Sequence, residues 1–250
     1  MIEPIIANRH NTALGRFYEH EGIMKPSATN VIGIVAKDKY YEQWLADFGG
    51  YRMVQNYIKE AADRGTRTHV NSEALQAGME VYTEGMPRDE VLMVMAFRNW
   101  VHKVKPKFIA SEISMWHPDY PVAGTADIVC TIRDQLFLID IKTGGNYDVH
   151  ELQLTAYGRL YELIYGKRPA ISVLKLSVSR GQPKYEALRY GYIDDALAHA
   201  VGLWNWRHPN TPTPPKPRVE LPKIIKLDKE FINVDESKKP DDSITENRDN

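Results

Sequence analysis

Thiols are nearly absent from this chain: Cys130 is the single cysteine among 250 residues, which excludes an internal disulfide and any four-cysteine zinc or iron–sulfur site. That scarcity fits a reducing compartment. An excess of charge is lacking too, since 32 Lys and Arg against 33 Asp and Glu leave a formal net charge of -1. A polyanionic partner would therefore have to be held by a local basic surface or through metal ions. No stretch is long and apolar enough to span a bilayer, and the opening "MIEPIIANRHNTALGRF" lacks the basic start and apolar run of a secretion signal. The expected location is cytoplasmic, with no membrane partner. Internal repeats are missing as well. What is present, 43% hydrophobic and 26% charged residues, suits a compact soluble protein of one domain, or of one domain with a helical elaboration.

The apolar spacing is helical up to about residue 104, in "KDKYYEQWLADF", "YRMVQNYIKEAADRG", "RTHVNSEALQAGM" and "PRDEVLMVMAFRNWVHKV", the last opening with Pro87 in a first-turn position. From Lys107 the texture changes to strands, "KFIASEISMWH", "VAGTADIVCTI" and "QLFLIDIKT", predicted to form an antiparallel meander. A helix closed by Gly166, a strand "AISVLKLSVS", a further strand near "KYEALRY" and a helix "DDALAHAVGLWNWR" follow. Trp204 and Trp206 near the end of that helix are expected to anchor it to the core. The predicted class is α+β: a central mixed β-sheet with an antiparallel meander flanked by helices, plus an N-terminal helical elaboration. Residues 1–104 form the mainly helical part, 105–207 the core, and 208–250 a Pro-rich and polar tail, expected to be partly disordered.

Charge interrupts the most apolar of these strands. In "LFLIDIKTGG" Asp140 and Lys142 interrupt an apolar run and, two apart, share one face. Burying them costs several kcal/mol without pairing, hydrogen bonds or a metal. A two-residue turn at Arg133 and Asp134 sets Asp127 opposite Asp140, and a turn centred on Asp119 and Tyr120 sets Glu112 opposite Asp127. Like charges facing one another roughly 5 Å apart destabilise a sheet. A divalent cation reverses that sign, and hard ions such as Mg²⁺ favour carboxylates and bridge to phosphate oxygens. Lys142 adds a cation able to orient a water or neutralise an oxyanion, as phosphodiester hydrolysis requires.

These residues resemble the PD-(D/E)XK nucleases. The carriers are "AGTADIV" with Asp127, "LIDIKTG" with Asp140 and Lys142, "ELQLTAYGRLY" with the Gln153 and Tyr157 pair of the RecB-like branch, and "RGTRTHVNSEAL", similar to that branch's Gly-Thr-x-x-His element. The family's first-motif proline is replaced by Ala126. The similarity spans roughly residues 60 to 180, and the segment around "KPSATN" is similar to the opening of the mitochondrial genome maintenance exonuclease and related phage exonucleases.

The resemblance implies a restriction-endonuclease-like core and a Mg²⁺- or Mn²⁺-dependent deoxyribonuclease. In it His69, Asp127, Asp140 and the Ile141 carbonyl hold the metal, and Lys142 positions the attacking water. Glu112 assists through the metal's water shell, Gln153 and Tyr157 fix Lys142 or the substrate strand, and Thr143 lies beside that strand. It implies an exonuclease on DNA ends, single-stranded for preference, in phage or bacterial replication, recombination or repair. The alternatives are a structure-specific endonuclease of the same superfamily, or a non-catalytic nucleic-acid-binding or interaction subunit that docks a protein partner through its C-terminal tail.

Overall fold

The computed structural model describes residues 7–35, 51–144, 149–212 and 214. Two compact units divide the chain, Met1–Pro214 and Pro215–Asn250, and every described residue belongs to the first. The helix expected over "KDKYYEQWLADF" and nearly all of the expected tail lie outside the described residues.

A five-stranded mixed sheet forms the centre: β4 (Lys107–Met115), β5 (Gly124–Ile132), β6 (Gln135–Lys142), β7 (Ala170–Ser179) and β8 (Gln182–Tyr190), in that spatial order. Neighbours are antiparallel except β6 and β7, which run parallel. The predicted meander β4–β5–β6 is present, in the predicted register from Ala110 onward, with Ser111 facing Ile128 and Ile128 facing Ile139, while an irregularity between Phe108 and Ala110 shifts the start of β4 by one residue. Arg133 (φ 49°) and Asp134 (φ 65°) are both left-handed, as the two-residue hairpin whose twist matches its strands demands.

Alternation along β6 shows why its run is so apolar. Leu138 joins a core with α4 (Val149–Tyr165) and α5 (Asp194–Arg207), while Ile139 and Ile141 join a second core with Phe97 and Trp100 of α3 (Arg88–Val104). Both faces of the sheet are therefore covered. Pro87 caps α3 from just outside rather than occupying its first turn. Trp204 anchors α5 as expected, but Trp206 is 80% exposed, because two positions along a helix turn a side chain by about 200° to the other side.

The N-terminal part differs from the sequence expectation in two ways. A three-stranded antiparallel sheet, β1 (Asn8–Thr12), β2 (Gly15–His20) and β3 (Ile23–Pro26), precedes the helices. The β2–β3 turn places Glu21 (φ 49°) and Gly22 (φ 81°) in left-handed conformations, and Glu is a poor advertisement for that geometry. Second, the two helices expected between Tyr51 and Met79 are one, α2 (Tyr51–Gln76), which runs through Gly65 without a break. Gly in a helix costs only about 1 kcal/mol against Ala, too little to end one.

The small sheet is stitched to the core. Ala28 N–H donates to the Ala123 carbonyl and Ala123 N–H to the Pro26 carbonyl, and Lys25 Nζ donates to the carbonyls of Pro118 and Tyr120 at 2.7 and 2.6 Å. The "PSATN" segment is a capping device: Ser27 Oγ accepts from Asn30 N–H and starts the short α1 (Ala28–Ile32), whose Val31 and Ile32 join the core with α4 and α5. Among the described residues no helix is long and apolar enough to cross a membrane.

Candidate metal centre and catalytic cleft

Strands β5 and β6 part at the acidic residues. Their last ladder pair is Ile128 with Ile139, and beyond it the Ile141 N–H is taken by the Asp127 carboxylate, Oδ2 at 2.6 Å. Asp127 thus replaces a main-chain acceptor with a charged one, which shortens and strengthens the bond. Its other neighbour is His69, reaching in from α2 with Nδ1 at 3.4 Å from Asp127 Oδ2 and 3.9 Å from Glu112 Oε1. Glu112 sits where the sequence register put it, between the Ser111–Ile128 and Ile113–Ala126 pairs, in a left-handed conformation (φ 49°). A ligand atom from each of His69, Glu112 and Asp127 lies within 4.8 Å of the other two.

A second chain of contacts starts from Asp140. Its Oδ2 is 2.6 Å from Lys142 Nζ, and its Oδ1 accepts from Gln153 Nε2 at 3.4 Å. Gln153 also accepts from Lys142 Nζ at 3.2 Å and donates to Tyr157 Oη at 3.1 Å. One helical turn of α4 separates Gln153 from Tyr157, which is why the two meet. The Tyr157 ring lies against Gly124 so closely that a Cβ there would collide with it. Both chains face one open cleft of about 760 Å³, which Ile141 and Thr143 also line. All the candidate catalytic, metal-binding and strand-contacting residues named from the sequence line this cleft.

Electrostatics follow from burial and pairing. Burial alone would lower the His69 pKa, but the carboxylates of Asp127 and Glu112 beside it outweigh that and push it up to about 10. Burial, then the charge of Asp140, raises Asp127, while His69 and Lys142 pull it back down. Lys142 loses solvation, yet Asp140 and Asp127 more than compensate and raise it. His150, also in the cleft, is lowered to about 4 by burial and by the Lys142 charge, so it is a neutral imidazole there.

Several cleft residues were not singled out from the sequence. Arg9 and Arg16 from the small sheet and Arg64 from α2 bring positive charge to it beside the acids Glu73, Glu112, Asp127 and Asp140. The only sequence signal was Arg64's place in the helical "RGTRTH" stretch; Arg9 and Arg16 needed the missed sheet. Elsewhere, an apolar groove of about 540 Å³ between α4 and α5 has Arg159, Glu162 and Asp194 as its charged lining, and Arg159 pairs with both acids. That groove offers no reactive group.

The donor set fits a hard divalent cation: buried carboxylates, one imidazole, and an Asp140 Oδ2 that sits beside Lys142 but has no donor in hydrogen-bond geometry. No protein-family model and no curated protein matches the chain. Among solved structures, the alkaline exonuclease LHK-Exo from Laribacter hongkongensis is similar at 12% identity and a TM-score of 0.38, covering 73% of this chain and 87% of that one. LHK-Exo in complex with dAMP gives 14% and 0.35 over 72% and 83%, and SSO0001 gives 12% and 0.35 over 75% and 78%. At such identities the likeness is one of distant fold, and the chemistry of the cleft stands on its own residues.

Proposed function

We propose that this chain is a metal-dependent deoxyribonuclease that hydrolyses phosphodiester bonds from DNA ends, single-stranded for preference. The observation that carries the reading is the meeting of His69, Glu112 and Asp127 within 4.8 Å, beside the Asp140–Lys142 pair, in one cleft. His69, Asp127, Asp140 and the Ile141 carbonyl would hold Mg²⁺ or Mn²⁺, with Glu112 assisting; bound there, such an ion supplies Lewis-acid charge to a phosphoryl oxygen and acidity to a water. Lys142, held by Asp140 and Gln153, orients the attacking water and offsets charge as it develops on the phosphate. Tyr157 and Gln153 keep that ammonium in place, and Thr143 lies where a strand would pass. Arg9, Arg16 and Arg64 attract the polyanion.

Exonuclease action is preferred over endonuclease action because of the likeness of the motifs to the RecB-like branch. The test compares linear with circular single-stranded DNA in Mg²⁺ and in Mn²⁺. Digestion of the linear form alone is expected; circles cut at a similar rate would remove the exonuclease assignment, and no cutting of either would remove the nuclease reading.

A further inference from the structure

Of the proposed ligands, His69 alone comes from outside the sheet, so its distance to Asp127 is set by how α2 is docked. Two positions before it, Arg67 donates Nε to Glu90 Oε2 at 2.9 Å and Nη2 to Glu90 Oε1 at 2.5 Å. Glu90 is 2% exposed, in the first turn of α3, where a carboxylate is also favoured by the helix N-terminus. Helix α3 in turn packs on β7 and β8, and its Phe97 and Trp100 share one buried core with Ile128 and Ile139, the last ladder pair before Asp127 and Asp140. One core therefore joins the acidic strands to α3, and the Arg67–Glu90 pair joins α3 to the helix that carries His69.

Apolar helix contacts tolerate sliding, whereas a two-bond guanidinium–carboxylate pair has one register. Slipping α2 by one residue shifts it about 1.5 Å and turns it about 100°, enough to take His69 off Asp127. We infer that Arg67 and Glu90 are positioning residues for the metal centre: their pair fixes the register of α2 on α3 and so holds His69 at the carboxylates. This rests on the metal-dependent reading of the cleft.

The test must separate positioning from stability. Arg67→Met with Glu90→Leu removes both charges together and leaves no unpaired carboxylate at the buried Glu90 site, and since the Arg67 side chain is 53% exposed the change is expected to alter stability little. Melting temperature and Mn²⁺ affinity by calorimetry are measured for the parent, this double variant and Arg67→Lys, alongside hydrolysis. The double variant is expected to melt within a few degrees of the parent yet bind Mn²⁺ about 10-fold more weakly, the loss typical when a group supporting a ligand is removed. Arg67→Lys, which keeps the charge but not the two-bond geometry, should fall between. Parent-like Mn²⁺ affinity in a folded double variant overturns the inference while leaving the nuclease reading intact. Should the double variant fail to fold, parent-like affinity in a folded Arg67→Lys overturns it equally. A parent that binds no Mn²⁺ removes the metal reading and the inference together.

Discussion

Lys142→Met removes the ammonium from the two carboxylates while keeping most of the side-chain volume, so its effect on stability reports charge rather than a cavity. Asp140 is 3% exposed and Lys142 Nζ lies 2.6 Å from it. Taking one partner from a buried pair costs ~3–5 kcal/mol, and the partly exposed lysine points to the low end, about 3 kcal/mol. For a domain of this size ~1 kcal/mol moves the melting temperature by about 2–4 °C, so a drop of about 6–12 °C is expected at pH 8 without divalent ions.

The pH dependence has a definite sign. The folded-state pKa of Asp127 lies above its unfolded value, so its ionisation subtracts stability at high pH and the loss is recovered as pH falls through the folded value. Lys142 is one of the charges holding that value down, so removing it raises Asp127 further and enlarges the penalty at pH 8. The deficit of the variant should therefore shrink at pH 5. Mg²⁺ should also return part of it, by bringing positive charge to the same carboxylates. Calorimetric melting at both pH values, with and without Mg²⁺, is the assay, and hydrolysis should fall by orders of magnitude throughout. A variant melting within about 2 °C of the parent at pH 8 would refute the electrostatic account of Asp140 and Lys142.

Other expectations follow from the same contacts. Because His69 titrates at about 10 and must be neutral to bind a metal, Mn²⁺ uptake at pH 7.5 should release close to one proton, measured calorimetrically in two buffers of different ionisation heat; His69→Ala should release less and need more metal for half-maximal rate. Asp127→Asn keeps an oxygen for the Ile141 N–H but loses the charge beside His69, so the imidazole titration followed by NMR should fall from about 10 toward 6.5; an unchanged titration would break the link between them. Gly124→Ala should displace the Tyr157 ring, cost ~1–3 kcal/mol in thermal stability and lower turnover, and parent-like values in both would show that the ring has room to move.

Much of this site was legible because period-2 patterns carry it. Asp140 and Lys142 stand out against Leu138, Ile139 and Ile141, and the Arg133–Asp134 turn fixes which residues face them. The Gln153–Tyr157 contact likewise follows from helical spacing. What stayed hidden depends on contacts between distant segments. The small N-terminal sheet has short strands with weak alternation, and its turn uses Glu21, so nothing local announced it. The Arg67–Glu90 pair joins two helices whose packing no periodicity specifies, and each residue alone reads as an ordinary solvated charge. The arginines of the cleft were hidden for the same reason: Arg9, Arg16 and Arg64 come to line it only once the sheet and α2 are in place.

The parting of β5 and β6 after the Ile128–Ile139 pair ties the fold to the chemistry. A ladder continued to Asp127 and Asp140 would set two carboxylates face to face with no room for a ligand between the strands. The Asp127 carboxylate instead takes the Ile141 N–H, so the strand end is satisfied without a main-chain partner, and Ile141 itself lines the cleft. The same bond holds Asp127 where His69 can reach it, while Asp140 is held by a hydrogen bond from Gln153 and by the charge of Lys142. Each acid is thus fixed by groups that are not themselves acids, and the repulsion between them is carried by rigid neighbours instead of being relieved by movement. On the proposed metal-dependent reading such a site is preorganised for a small cation of high charge, and its cost to the metal-free fold is what the Lys142→Met and pH experiments measure.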